Sequence, residues 1–133
     1  MKTLVESFVA AINSGRPDAI AALKTDDHTF IDSLGKRVSG RDRMRQGWAQ
    51  YFSMVPDYRI SVDRMMCDGD RFILVGRACG TFSPDGVRSA DRRWNIPAAW
   101  QGLARDSRIA EWQVFCDNKP MYDLMDARMR TAP

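Results

Sequence analysis

The 133 residues contain one histidine, His28, and that bounds the chemistry available to the chain. A metal site built on two or three histidines cannot form, and a Ser-His-Asp triad must use His28 or not exist. His28 lies in the stretch DDHTFIDSLG (26–35), which alternates as a strand does and ends in a glycine turn. Alternation places His28, Phe30 and Asp32 on one face and Thr29, Ile31 and Ser33 on the other. Two pleats separate His28 from Asp32, roughly 13 Å at about 3.3 Å per residue, too far for a direct hydrogen bond. The two side chains can still address different ends of one ligand. A carboxylate facing an apolar cavity is disfavoured in its charged form and becomes a better base. Histidine is the side chain whose ordinary pKa lies near neutrality. Each residue also has a plainer reading. Asp32 can cap the turn at Ser33-Leu34-Gly35, and His28 can be a hydrogen-bonded structural residue near a strand start.

A second store of functional groups is aromatic and sulfur-bearing: 4 Trp, 6 Phe, 3 Tyr and 8 Met. Trp48, Tyr51, Phe52, Trp94, Trp100 and Trp112, with Met44, Met65 and Met66, are candidates for the wall of an apolar pocket. At these spacings the same residues also serve as plain core. Charge points away from nucleic acid. The 20 Lys+Arg and 17 Asp+Glu leave a net of +3 with the signs interspersed, which describes a solvated surface. Cys67, Cys79 and Cys116 are odd in number, widely spaced and form no CxxC pair, which suits a reducing cytoplasm. The N-terminal apolar run is interrupted by Glu6 and Asn13 and is too short for a membrane span. A cytoplasmic protein with no targeting segment is expected.

The elements that must position these groups are legible along one domain, 1–133. Thr3 and Glu6 have capping-box spacing, and Leu4, Val5, Phe8, Val9 and Ile12 fall on one helical face. Gly15 stops that helix, and Pro17 opens a short second one. After the strand that carries Asp32, a third helix begins at Ser39 or Gly40. It carries the stripe Met44, Trp48, Tyr51, Phe52 and Val55 and closes at Pro56. Strands follow: Tyr58, Ile60 and Val62 alternate, then Arg71 to Phe82, Arg93 to Arg105 and Ile109 to Asp117, with turns at Asp68-Gly69-Asp70 and Asp106-Ser107. Helices segregated from an antiparallel meander predict an α+β fold with the sheet curling around a helix.

This order, with FVAAINSGRPDAIAAL, TDDHTFIDSLG and RIAEWQVFCDNKPMYDLM, resembles the nuclear transport factor 2-like, or SnoaL-like, superfamily over essentially the whole chain. The resemblance implies a cone: a curved antiparallel or mixed sheet wrapped around three N-terminal helices, with an apolar pocket open at one end. It also implies a homodimer through the outer sheet face. By the same resemblance Asp32 matches the proton-abstracting aspartate of ketosteroid isomerase. Where that enzyme has a tyrosine and a second acid to hold the oxyanion, this chain has Phe8 and Ala98, and neither donates a hydrogen bond. Where the polyketide cyclases have an acid–base aspartate and a histidine, it has Val114 and Trp100. The ending around Asp117 implies a cap at the pocket rim, or a turn before Pro120, and then a short apolar tail.

The resulting expectation is a cofactor-independent isomerase or lyase/dehydratase for a small apolar carbonyl compound. Asp32 is the base, with His28 or Tyr51 as polar assistant. Phe8, Trp48, Tyr51, Phe52, Met66, Trp94, Ala98, Trp100, Trp112 and Val114 form the pocket. No metal, nucleic acid or membrane partner is expected. The alternative is a non-catalytic ligand-binding or dimeric interaction module, which the apolar Phe8 and Ala98 favour.

Overall fold

The computed structural model describes residues 1–131, with side chains through residue 126. Helical periodicity at the start of the chain produces α1 (Lys2–Asn13), which buries Val5, Phe8, Ala11 and Ile12. Gly15 takes φ +68° and lets the chain reverse. α2 (Pro17–Ala21) then begins on Pro17, with Asp18 in its first turn. The capping box expected at Thr3 and Glu6 does not form. The helix already starts at Lys2 with Met1 as its N-cap, so Thr3 is inside the first turn, where it cannot cap. Glu6 faces Lys2 instead, at 3.9 Å.

The remaining elements are β1 (Lys24–Ile31), β2 (Arg37–Ser39), α3 (Arg41–Met54), β3 (Arg59–Asp68), β4 (Arg71–Thr81), a 3-10 turn (Ala90–Arg92), β5 (Arg93–Arg105), β6 (Arg108–Cys116) and α4 (Lys119–Thr131). The strands form one six-stranded sheet in the order β2-β1-β6-β5-β4-β3. β1 runs parallel to β6, and every other neighbouring pair is antiparallel. The α+β cone with a mixed sheet is therefore the observed fold. Three local readings change. β1 starts at Lys24 and ends before Asp32, so Asp32 to Gly35 is turn. The three-residue β2, too short to show a period, folds back onto β1. The expected apolar tail is the helix α4, whose buried Met121 and half-buried Leu124 and Met125 pack on the core at helical spacing.

The long strands curve because β3 carries a bulge between Val62 and Arg64. Gly76 of β4 sits against that bulge, where a Cβ would overlap the Ser61 carbonyl. β3 is also an edge strand, and α1 covers part of it. The Asn13 amide donates to the Ile60 carbonyl (2.9 Å) and accepts the Ile60 N–H (2.8 Å), satisfying backbone groups that the sheet leaves open. Among the described residues, no helix is long and apolar enough to cross a membrane.

Candidate functional site

Alternate residues of the curved sheet point inward, and the largest of them are aromatic. On β5, Trp94, Ile96, Ala98 and Trp100 are all buried, as period-two alternation requires. Trp100 lies opposite Val114 of β6, and Trp112, two residues back, packs on Trp100 with ring centroids 6.3 Å apart. α3 crosses this face and contributes Met44, Trp48 and Tyr51 at spacings of four and three. Helix and sheet do not close on each other completely. Between them lies a cavity of about 730 Å³, a size suited to a small organic molecule.

The floor and walls are Trp112, Trp100, Val114, Trp94, Trp48 and Tyr51, six residues read from the sequence as pocket candidates. Tyr58, just before β3, stands at the centre of the aromatic wall. Its ring centroid is 5.0 Å from Tyr51, 6.0 Å from Trp94 and 6.1 Å from Trp48. Burial pushes both Tyr51 and Tyr58 far above the ordinary tyrosine range, so both phenols stay neutral donors. The Tyr51 hydroxyl is occupied with the Met121 sulfur of α4, at 3.7 Å. The Tyr58 hydroxyl forms no hydrogen bond among the described residues. The indole N–H groups of Trp48 and Trp94 are likewise buried without an acceptor among the described residues.

Asp32 lies at the cavity mouth, half-buried. Its Oδ1 accepts the backbone N–H of Leu34 and of Lys36, each at 2.9 Å, which fixes the carboxylate on its own turn. Both sequence readings of Asp32 thus meet in one geometry: it caps the turn, and it lines the cavity. Oδ2 makes no hydrogen bond among the described residues. Beside it the Asn118 amide donates to the Ser33 hydroxyl (2.6 Å) and accepts from the Cys116 thiol (3.3 Å). Asp117 accepts the Lys119 N–H (2.9 Å) and so acts as a turn residue at the start of α4.

The structure separates His28 from this site. His28 is fully buried at the closed end of the cone, near Phe8 (6.5 Å between ring centroids), and does not line the cavity. Burial, with Lys24 beside it, lowers its pKa to about 4, so the ring is neutral. Because a carbonyl only accepts, the 2.8 Å contact to Ile109 assigns the proton to Nδ1. Nε2 is buried without a partner among the described residues. The pocket positions expected at Phe8, Phe52, Met66 and Ala98 also differ from what is found. Phe8 is core against Trp112 (4.9 Å), and Phe52 stacks on Trp48 (5.2 Å) without lining the cavity. Ala98 is buried on the concave face yet does not border the cavity. Met66 is exposed on the outer face, because the Val62/Arg64 bulge resets the alternation of β3. Two groups went unread. Tyr58 belonged to the Tyr58-Ile60-Val62 alternation, which was its available signal. The mouth residues Lys36, Arg37 and Arg43 look like ordinary surface charges in the sequence.

A family model described as the SnoaL-like domain matches residues 5–112. No curated protein matches. Solved structures similar in fold include a hypothetical protein with a ketosteroid isomerase-like fold from Catenulispora acidiphila, solved in complex with trimethylamine. It has 18% identity, covers 98% of this chain and 97% of its own, and gives a TM-score of 0.79. A candidate SnoaL-like polyketide cyclase from Shewanella denitrificans has 13% identity, coverage of 95% and 96%, and a TM-score of 0.79. An epoxide hydrolase from M. tuberculosis, described as LEH-like, has 17% identity, coverage of 98% and 95%, and a TM-score of 0.75. At these identities the likeness is one of fold.

Proposed function

Because the chain belongs to the SnoaL-like domain family, we propose that its cavity receives a small, largely apolar carbonyl compound and that Asp32 moves a proton on it. The reaction is a cofactor-independent isomerisation or dehydration. The observation that carries this reading is Asp32 at the mouth of an aromatic cavity, with one oxygen tied to two backbone amides and the other without a partner among the described residues. In either reaction Oδ2 accepts a proton from the carbon next to the carbonyl. Return of that proton to a different carbon completes an isomerisation, and its transfer from Asp32 to a departing β-hydroxyl, which leaves as water, completes a dehydration. The neutral Tyr58 hydroxyl, free of any acceptor among the described residues, is the donor suited to the carbonyl oxygen as charge develops there. His28 is left out of the mechanism by its burial in the core.

Proton abstraction is readable without knowing the natural substrate. A panel of small cyclic enones in deuterium oxide, followed by NMR, reports exchange of the protons next to the carbonyl. The protein is expected to accelerate exchange, and Asp32→Asn to reduce that acceleration by about 10²- to 10⁴-fold. Unchanged exchange in Asp32→Asn removes Asp32 as the base. The second reading, a binder without chemistry, is favoured by Phe8 and Ala98, which leave no donors at the positions where the resemblance would put them. Binding of the same enones with no exchange in the unaltered protein selects that reading.

The proposed assembly is a homodimer through the outer sheet face. Ile73, Val75, Met66 and Phe115 are exposed there, and the register aligns Phe115, Ala99 and Val75 in one row beside Ile73 and Met66. Sedimentation is expected to give twice the 15.1 kDa of one chain, and Val75→Glu is expected to give the single mass. A single mass for the unaltered protein ends the proposal. The free cysteines, Cys67 exposed among them, fit a reducing compartment, and the proposed location is the cytoplasm.

A further inference from the structure

The cavity is apolar at depth and cationic at its mouth. Lys36, Arg37 and Arg43 all line it, and all three residues are exposed. They are gathered at one opening, where two neighbouring arginines of α3 are instead paired. On α3, Arg41 reaches Asp26 at 2.9 Å, and Arg45 reaches Asp18 at 3.3 Å and Asp42 at 3.7 Å. Elsewhere Arg92 pairs with Asp85, Arg105 with Asp27, and Arg71 with Glu111, whereas Arg16, Arg59, Arg64, Arg93 and Arg108 form no ion pair among the described residues. Among the described residues, Lys36, Arg37 and Arg43 form no ion pair and no side-chain hydrogen bond, although acidic residues are plentiful in the chain. Among the described residues, Asp32 is the one acidic residue lining the cavity. Three cations therefore face one carboxylate at the entrance to a pocket floored by Trp100 and Trp112.

We infer that the ligand is an amphipathic anion: a flat apolar body seated against the tryptophans, with a carboxylate held at the mouth by Lys36, Arg37 and Arg43. Guanidinium groups match a carboxylate with two parallel N–H donors, while an ammonium supplies a point charge. The cations also steer an anion towards the opening. The inference rests on the small-molecule cavity reading and adds the charge class of what enters it. Seating the carboxylate on the cations leaves the apolar body to extend past Asp32 into the cavity. One end of the molecule is then held while its carbon skeleton meets the base.

Calorimetry with 2-naphthoate and its neutral counterpart 2-naphthamide separates the two layers of the argument. Naphthoate is expected to bind about tenfold more tightly than naphthamide at low salt, as a few exposed pairings allow, with the gap closing as salt is raised. The triple substitution Lys36→Gln, Arg37→Gln, Arg43→Gln is expected to abolish the gap and leave naphthamide affinity unchanged. All three positions are solvent-exposed, so the variant is expected to fold, and an unchanged circular dichroism spectrum checks this. Equal binding of the two probes to the unaltered protein overturns the inference while leaving the cavity reading intact. A gap that survives the triple substitution does the same. Failure of both probes to bind overturns the cavity reading with it.

Discussion

Lys24→Met is expected to stabilise the protein at neutral pH by roughly 2–4 kcal/mol, the size of an unpaired buried charge replaced by an apolar chain of similar length. Lys24 opens β1 with 1% of its surface exposed. Its ammonium lies 6.0 Å from the centroid of the Phe8 ring, and among the described residues it has no carboxylate partner. The neighbouring ionisable group is His28, which is neutral, and the nearby Asp27 points to solvent and pairs with Arg105. Burial lowers the Lys24 pKa from 10.5 to about 7. The folded-state value is the lower one, so between pH 7 and 10.5 the unfolded chain holds a proton that the folded chain has released. Stability then rises with pH across that window and is level below it, where both states are protonated.

Urea denaturation at pH 7 and pH 9.5 is expected to show the unaltered protein more stable at the higher pH. Lys24→Met should be nearly flat between the two. His28 contributes in a separate window. Its folded pKa of about 4 lies below the ordinary 6.5, so stability falls as pH drops from 6.5 to 4. That acid limb is expected to persist in Lys24→Met. A variant less stable than the parent at both pH 7 and pH 9.5 would show that Lys24 is held by an interaction worth more than its burial costs.

Gly102→Ala is expected to destabilise the fold by about 3 kcal/mol, the upper part of the range for overpacking. Gly102 of β5 lies opposite Phe72 of β4 on one side and Trp112 of β6 on the other. A Cβ there would overlap the Phe72 ring, whose Cε1 would lie 2.8 Å away, and the Glu111 carbonyl oxygen. Phe72 is itself buried and packed on Trp112 at 5.9 Å, so the ring has no space to swing into. The carbonyl is main chain and moves only if β6 moves. Gly47→Ala supplies the contrast. It lies inside α3, its Cβ would meet nothing within 4 Å, and a gain of roughly 0.5–1 kcal/mol is expected from helix propensity alone. A Gly102→Ala midpoint within 0.5 kcal/mol of the parent would mean that the strands part easily beside the Leu103/Ala104 bulge.

The long elements were legible because each buries one clean face over many residues. β5 occupies Arg93–Arg105 as its alternation predicts, and α3 carries the stripe Met44, Trp48, Tyr51 that its spacing predicts. Short elements carry too few residues to show a period. β2 has three, and only its pairing with β1 makes it a strand. The parallel pairing of β1 with β6 brings together residues such as Phe30 and Trp112, far apart in the chain, and no local pattern encodes it.

Local sequence pattern by itself determined the α+β class, the strand that leads into Asp32, and the aromatic inward faces of α3 and β5. Each depends on side-chain periods of two or about 3.6 residues, which are properties of a single segment. Tertiary structure alone decided which inward-facing residues border empty space and which are core. Alternation alone assigns His28 and Asp32 to one face, yet β1 ends at Ile31, the core closes over His28, and Asp32 lies on the following turn beside the cavity. It also decided which surface cations find carboxylates. Arg41 and Arg45, four residues apart, share one face of α3 and Arg43 lies on another, but only the fold brings Asp26 and Asp18 to the first two and the cavity mouth to the third. Burial and charge pairing depend on what arrives from distant parts of the chain, and those arrivals are set when the sheet curls around α3.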